Sequence, residues 1–158
     1  MSTNNQPVKD FIKSLQIIHF VLLMGVVAFA GYVSLQLNEQ LNFSYTNDKA
    51  FLYIAIIISF VGNLMSKSLF AKLIKKIPED ANLFQKASKY YTAHIFRLAL
   101  LEFPALMCII FVKQSNNSFY FILVGILLLM MLAIFPTKNK FANEVPLTSK
   151  EKSILEKL

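Results

Sequence analysis

The chain has one cysteine, four glycines and no tryptophan in 158 residues, and only nine acidic side chains against sixteen basic ones. A lone cysteine, Cys108, excludes an intramolecular disulfide and a cysteine-built metal cage, and reads as a small apolar filler. With so few glycines there is no Gly-rich phosphate loop and no GxxxG pair for close helix dimerisation. Paired histidine motifs, a nucleophile elbow and clustered carboxylates are missing as well. The sequence therefore offers no catalytic residue, no metal ligand set and no cofactor-binding motif, and none is expected.

What the chain has in abundance is apolar residues, 56% of the total. Four runs approach the roughly 20 residues needed to cross a hydrocarbon core of about 30 Å: residues 15–35, 51–70, 90–112 and 119–135. The expectation is an all-α membrane protein of four transmembrane helices in an antiparallel bundle, residues 15–135. A polar N-terminal tail, residues 1–14, precedes it, and a tail with a short amphipathic helix, residues 136–158, follows.

The net charge of +7 does not point to nucleic acid, because the basic residues lie on loops and not on a soluble face with stacking aromatics. Lys9 and Lys13, six lysines of the middle loop (Lys67, Lys72, Lys75, Lys76, Lys86 and Lys89) and five of the C-terminal tail all fall on one side of the four-span topology. Only Lys49 and Lys113 fall on the other. Lysine gathers at cytoplasmic loops, so both termini are expected in the cytoplasm and the protein in the cytoplasmic (inner) membrane as a multi-pass protein. The first apolar run begins behind a polar tail and continues past Ala28-Phe29-Ala30, so it reads as a retained span and not as a cleaved signal.

Local signals refine this plan. Lys72-Leu73-Ile74-Lys75-Lys76-Ile77 fits a continuation of span two whose lysines snorkel to lipid headgroups. Pro78-Glu79-Asp80 has the chemistry of a helix start, placing the onset of the next helix near Asp80. The five-residue turn Gln114–Ser118 makes spans three and four antiparallel neighbours. Thr148-Ser149-Lys150-Glu151 has capping-box spacing ahead of Ile154, Leu155 and Leu158.

Charge inside the third span is the strongest functional signal, since intramembrane ionisable groups are costly. Arg97 lies about 10 Å inward from Tyr90 and Glu102 about 18 Å, near the bilayer centre. At 100° per residue they point about 140° apart, so each is expected to face a different neighbour. Matching depths across antiparallel spans proposes one buried polar layer of His19, Ser59, Asn63, Ser66, Arg97 and Glu102, with His19 level with His94 or Arg97. Pro104 cannot donate to the carbonyl of Leu100, so a freed carbonyl and a helix kink are expected beside Glu102.

Residues 61–111, with Lys76-Ile77-Pro78-Glu79 as a polar loop and Ala99-Leu100-Leu101-Glu102 on the following helix, resemble the proteolipid (c-ring) hairpin of rotary ATPases. That resemblance implies a proton or sodium ion carried on Glu102, with Asn63 or Ser66 opposite. The hairpin departs from that family in having only Gly62 in span two and in carrying Arg97 on the carboxylate helix. Over its full length the chain resembles small four-span bacterial membrane proteins of uncharacterised role.

The function expected is that of a non-enzymatic accessory, assembly or structural subunit. Its partners would be the lipid bilayer and either a second copy or another membrane protein, with no nucleic acid. The alternative is proton or cation translocation through Glu102, and a third is a membrane enzyme acting on lipid or quinone.

Overall fold

The computed structural model describes residues 6–37, 43 and 49–156. These form six helices: α1 (Gln6–Leu35), α2 (Lys49–Lys75), α3 (Leu83–Ser115), α4 (Tyr120–Ala133), α5 (Lys138–Glu144) and α6 (Ser149–Glu156). No strand occurs among the described residues. The first five residues of the expected polar tail, most of the loop between the first two spans, and Lys157 and Leu158 lie outside the described residues.

Helices α1, α2 and α3 are each long and apolar enough to cross a membrane. Helix α4 is not, because its 14 residues reach only about 21 Å at 1.5 Å per residue. It qualifies only together with α5, from which it is bent by 80°, so the chain has three or four candidate spans. The break falls at Pro136, which cannot continue the α4 hydrogen-bond ladder. Thr137 restarts the helix: its side-chain oxygen accepts from the Lys140 backbone N–H at 3.2 Å as the N-cap of α5. The Lys140 ammonium reaches back to the Ala133 carbonyl, covering an acceptor that α4 leaves free at its C-terminus.

Helix α3 is the hub. It packs along α1, α2 and α4, while α1 and α2 share little contact with each other. One apolar cluster, including Leu23, Val26, Leu98, Leu101, Ile109 and Leu127, joins these four helices. A second gathers Val8, Ile12, Leu15, Phe70, Tyr90, Phe141 and Leu155, bringing the first turns of α1, the end of α2, the start of α3 and both C-terminal helices to one pole. Val8, Ile12 and Leu15 are buried at the spacing of one helix face. Residues 8–14 therefore belong to a helix, and the expected tail 1–14 is correspondingly shorter.

The helix boundaries correct two further expectations. Helix α3 starts at Leu83, not near Asp80, because Asn82 supplies the N-cap: its Oδ1 accepts from the Gln85 backbone N–H at 2.9 Å. The tail after residue 135 holds two helices where one was expected. The α6 cap follows the sequence signal, with the Thr148 N–H donating to Glu151 Oε2 at 2.8 Å and the Glu151 N–H to Thr148 Oγ1 at 3.3 Å.

The outward faces are apolar. Phe20, Phe60, Phe103 and Leu129 are each more than half exposed, as side chains facing lipid are.

Candidate functional site

The polar residues of α3 fall into two unlike places. At the pole with the C-terminal helices, α5 brings Glu144 under α3, where one carboxylate oxygen accepts from the Tyr90 hydroxyl at 2.9 Å and the other from Arg97 Nη1 at 3.3 Å. The Arg97 guanidinium also lies over the Phe70 ring, 4.4 Å from its centroid, a cation–π contact that a planar guanidinium makes readily. Phe141 and Phe70 pack edge-on against the Tyr90 ring, so its hydroxyl is aimed by packing.

One turn before Tyr90, Lys86 is fully buried and donates to Glu151 Oε2 at 2.9 Å. An ammonium taken out of water needs such a partner. Burial alone would raise the Glu151 carboxyl. The Thr148 N–H, the Lys86 ammonium and the Thr148 hydroxyl outweigh burial and hold it below its ordinary value.

His19 of α1 meets His94 of α3, Nδ1 to Nε2, at 3.1 Å with both rings fully buried. One nitrogen of the pair donates and the other accepts, in either tautomer. Phe135 packs edge-on against His19, and Tyr90 lies tilted against His94. Among the described residues, His94 Nδ1 and Arg97 Nε find no hydrogen-bond partner.

Glu102 stands apart from all of this. It is half-buried on α3, beside the exposed Phe103, and makes no hydrogen bond or ion pair among the described residues. On the α2 side of this region, Gly62 lies so close that a Cβ there would meet the Leu100 carbonyl and Pro104 Cγ, both at 2.7 Å. The carbonyl that Pro104 leaves without its donor thus faces a glycine backbone.

The expected polar layer is therefore divided. Arg97 and Glu102 do not pair. Arg97 goes to Glu144, and its backbone carbonyl accepts from the Ser66 hydroxyl at 2.9 Å. His19 finds His94, as its depth indicated, and not Arg97. Ser59 contacts Cys108 at 3.8 Å, and Asn63 makes no side-chain hydrogen bond among the described residues. Depth matching set Asn63 level with Arg97, whereas Ser66, nearly one turn further along α2, is the residue that meets the Arg97 backbone, and it assigned partners from the spans alone. It omitted Glu144 and Glu151, which arrive from helices beyond them.

A family model described as a domain of unknown function, DUF4271, matches residues 2–144. The chain belongs to the DUF4271 family. No curated protein and no solved structure matches it. The part of this DUF4271 chain that the family model covers holds His19, Lys86, Tyr90, His94, Arg97, Glu102 and Glu144, whereas Glu151 lies beyond it.

Proposed function

We propose that this protein is a non-enzymatic accessory subunit of the cytoplasmic membrane that docks a transmembrane helix of a different membrane protein at Glu102. The observation that carries the reading is the Glu102 carboxyl in the middle of α3, without a partner among the described residues and at the border of an exposed apolar face. A carboxyl at that depth calls for a countercharge or a hydrogen-bond donor. Arg97 is the only Lys or Arg deep in the four expected spans, and Glu144 already holds it. Among the described residues a second copy thus has no free cation to offer at that depth, and a partner helix with its own Lys or Arg fits.

In this reading the pole that gathers the first turns of α1 and the C-terminal helices faces the cytoplasm, with α4 crossing back towards it as the fourth span. The lysine bias supports that orientation, as does the apolar cluster shared by the first turns of α1 and the C-terminal helices.

The test places a photo-crosslinking residue at Phe103 in native membranes. The expected result is one discrete adduct with a different membrane protein, lost in Glu102→Leu. An adduct with a second copy, or one indifferent to Glu102, overturns the reading.

The same unpartnered carboxyl, beside Pro104 and Gly62, supports a second reading: proton or cation translocation, as the likeness of residues 61–111 to the c-ring hairpin implies. Flux into liposomes by the purified protein, abolished in Glu102→Gln, would establish it in place of the first.

A further inference from the structure

The N-terminal half of α1 carries one continuous stripe. Lys9, Lys13, Ile17, Phe20, Met24 and Val27 follow one another at steps of three and four residues and so share a helix face. All are exposed, Ile17 and Phe20 by 57% each. The stripe is cationic for its first turn and then apolar from Ile17 to Val27, about 15 Å, which matches the hydrocarbon half-thickness of about 15 Å.

At the cationic end the stripe borders a cavity of about 250 Å³ lined by Lys9, Ile12, Lys13, Gln16, Lys138 and Leu155. Two helices supply its three lysines. Lys9 and Lys13 lie one turn apart on α1, and Lys138 comes from α5, held nearby because Gln16 Nε2 donates to the Pro136 carbonyl at 2.9 Å. No carboxylate lines the cavity, and none of the three lysines makes an ion pair among the described residues. The adjoining cavity, which shares Lys138 and Leu155, adds Lys152 and a single acid, Glu156. Like charges brought together around an apolar floor without a counterion repel one another, and an anion seated among them removes that cost.

We propose that this cavity and stripe form a binding site for one anionic diacyl phospholipid. Its phosphate sits among Lys9, Lys13 and Lys138, and its acyl chains lie along Ile17, Phe20, Met24 and Val27. Basic pockets between helices at a membrane surface recognise anionic headgroups. The stripe adds what a soluble anion cannot use, an apolar track beginning one turn from the charges. The site is independent of Glu102 and of its occupant.

Native mass spectrometry of the purified protein, offered phosphatidylglycerol and phosphatidylcholine in equal amounts, tests the proposal. The wild type should retain phosphatidylglycerol preferentially. That preference should fall roughly fivefold for each lysine removed in Lys9→Gln, Lys13→Gln and Lys138→Gln, and persist in the charge-matched variant Lys67→Gln/Lys89→Gln/Lys150→Gln, whose three lysines are exposed and lie outside the cavity. Equal retention of the two lipids by the wild type, which needs no variant to fold, overturns the proposal. So does an equal loss in the charge-matched variant. Heat stability supplies a further arm, read from the labelling of buried Cys108 by a thiol dye. Phosphatidylglycerol should raise it and inorganic phosphate should not; an equal rise with phosphate would assign the site to a free anion.

Discussion

At the pole that gathers the first turns of α1 and the C-terminal helices, Lys86, Tyr90, Arg97, His19 and His94 are each held by a side chain from another helix. Glu102, five residues along α3 from Arg97, is held by none among the described residues. The two regions lie on one helix and face the same difficulty, polar groups removed from bulk water. Where the chain supplies the answer itself, the polar group serves the fold. Where it leaves the answer out, the group is available to something else. Stability and function should therefore respond oppositely to substitutions in the two regions, and that contrast can be broken experimentally.

The largest effect is expected at Lys86. In Glu151→Ala the fully buried ammonium loses the one ion-pair partner it has among the described residues, which should cost about 3 kcal/mol and release α6. Cys108 labelling on heating reads the loss, and Lys86→Met combined with Glu151→Leu should recover most of it. Acid should imitate the single variant. Because the folded Glu151 carboxyl is held below its ordinary value of 4.5, its contribution is complete above that pH and is lost as pH falls below it. Protease sensitivity of residues 145–156 should rise over that interval in the wild type and not in the double variant.

Next comes the contact between α2 and α3. A methyl group added at Gly62 meets the Leu100 carbonyl as well as Pro104 Cγ at 2.7 Å, and backbone yields less readily than a side chain. Gly62→Ala should cost about 2 kcal/mol through forced separation of the two helices. Pairing it with Pro104→Ala should relieve the ring contact but not the carbonyl, so rescue should be partial. Full rescue would place the whole constraint on the proline ring.

Tyr90→Phe keeps the ring between Phe70 and Phe141 and removes only the hydroxyl that Glu144 accepts, so about 1.5 kcal/mol is expected. Arg97 retains its bond to the other oxygen of the same carboxylate. The measurement is again the midpoint of Cys108 exposure. A loss as large as that of Glu151→Ala would mean that Tyr90, and not Lys86, anchors the C-terminal helices.

How much of this was legible beforehand follows from the range of each signal. The helices of the spans announce themselves through long apolar runs, and the Thr148–Glu151 cap through a four-residue pattern, because both are local. Depth along a helix is local too, which is why His19 could be set level with His94. Partners are not local: Glu144 and Glu151 meet Arg97 and Lys86 from 47 and 65 residues away in the chain. Lys86 looks like any loop lysine in the sequence. One clue was present, since only three acids follow Glu102, namely Glu144, Glu151 and Glu156. Two of them turn out to hold Lys86 and Arg97 of α3. The bend at Pro136 was equally hidden: Phe135-Pro136 marks where α4 stops, but nothing nearby says that the chain turns back under α3. Gly62 went unread for the same reason, as its role exists only against the carbonyl that Pro104 frees on another helix.

Glu102 should give the smallest stability change. Its carboxyl has no partner within the described chain, so Glu102→Leu removes no interaction and takes an ionisable group out of the apolar region. The expected shift in the Cys108 midpoint is within about 0.5 kcal/mol, or a slight gain, as for substitutions away from any specific contact. The same variant should abolish the crosslink from position 103, the one measurement on which Glu151→Ala, with α3 still in place, should have the lesser effect. If Glu102→Leu instead destabilised the isolated protein as Glu151→Ala does, Glu102 would have to be satisfied within the chain after all. The contrast between the two regions would then vanish, and both readings that rest on an open carboxyl would go with it.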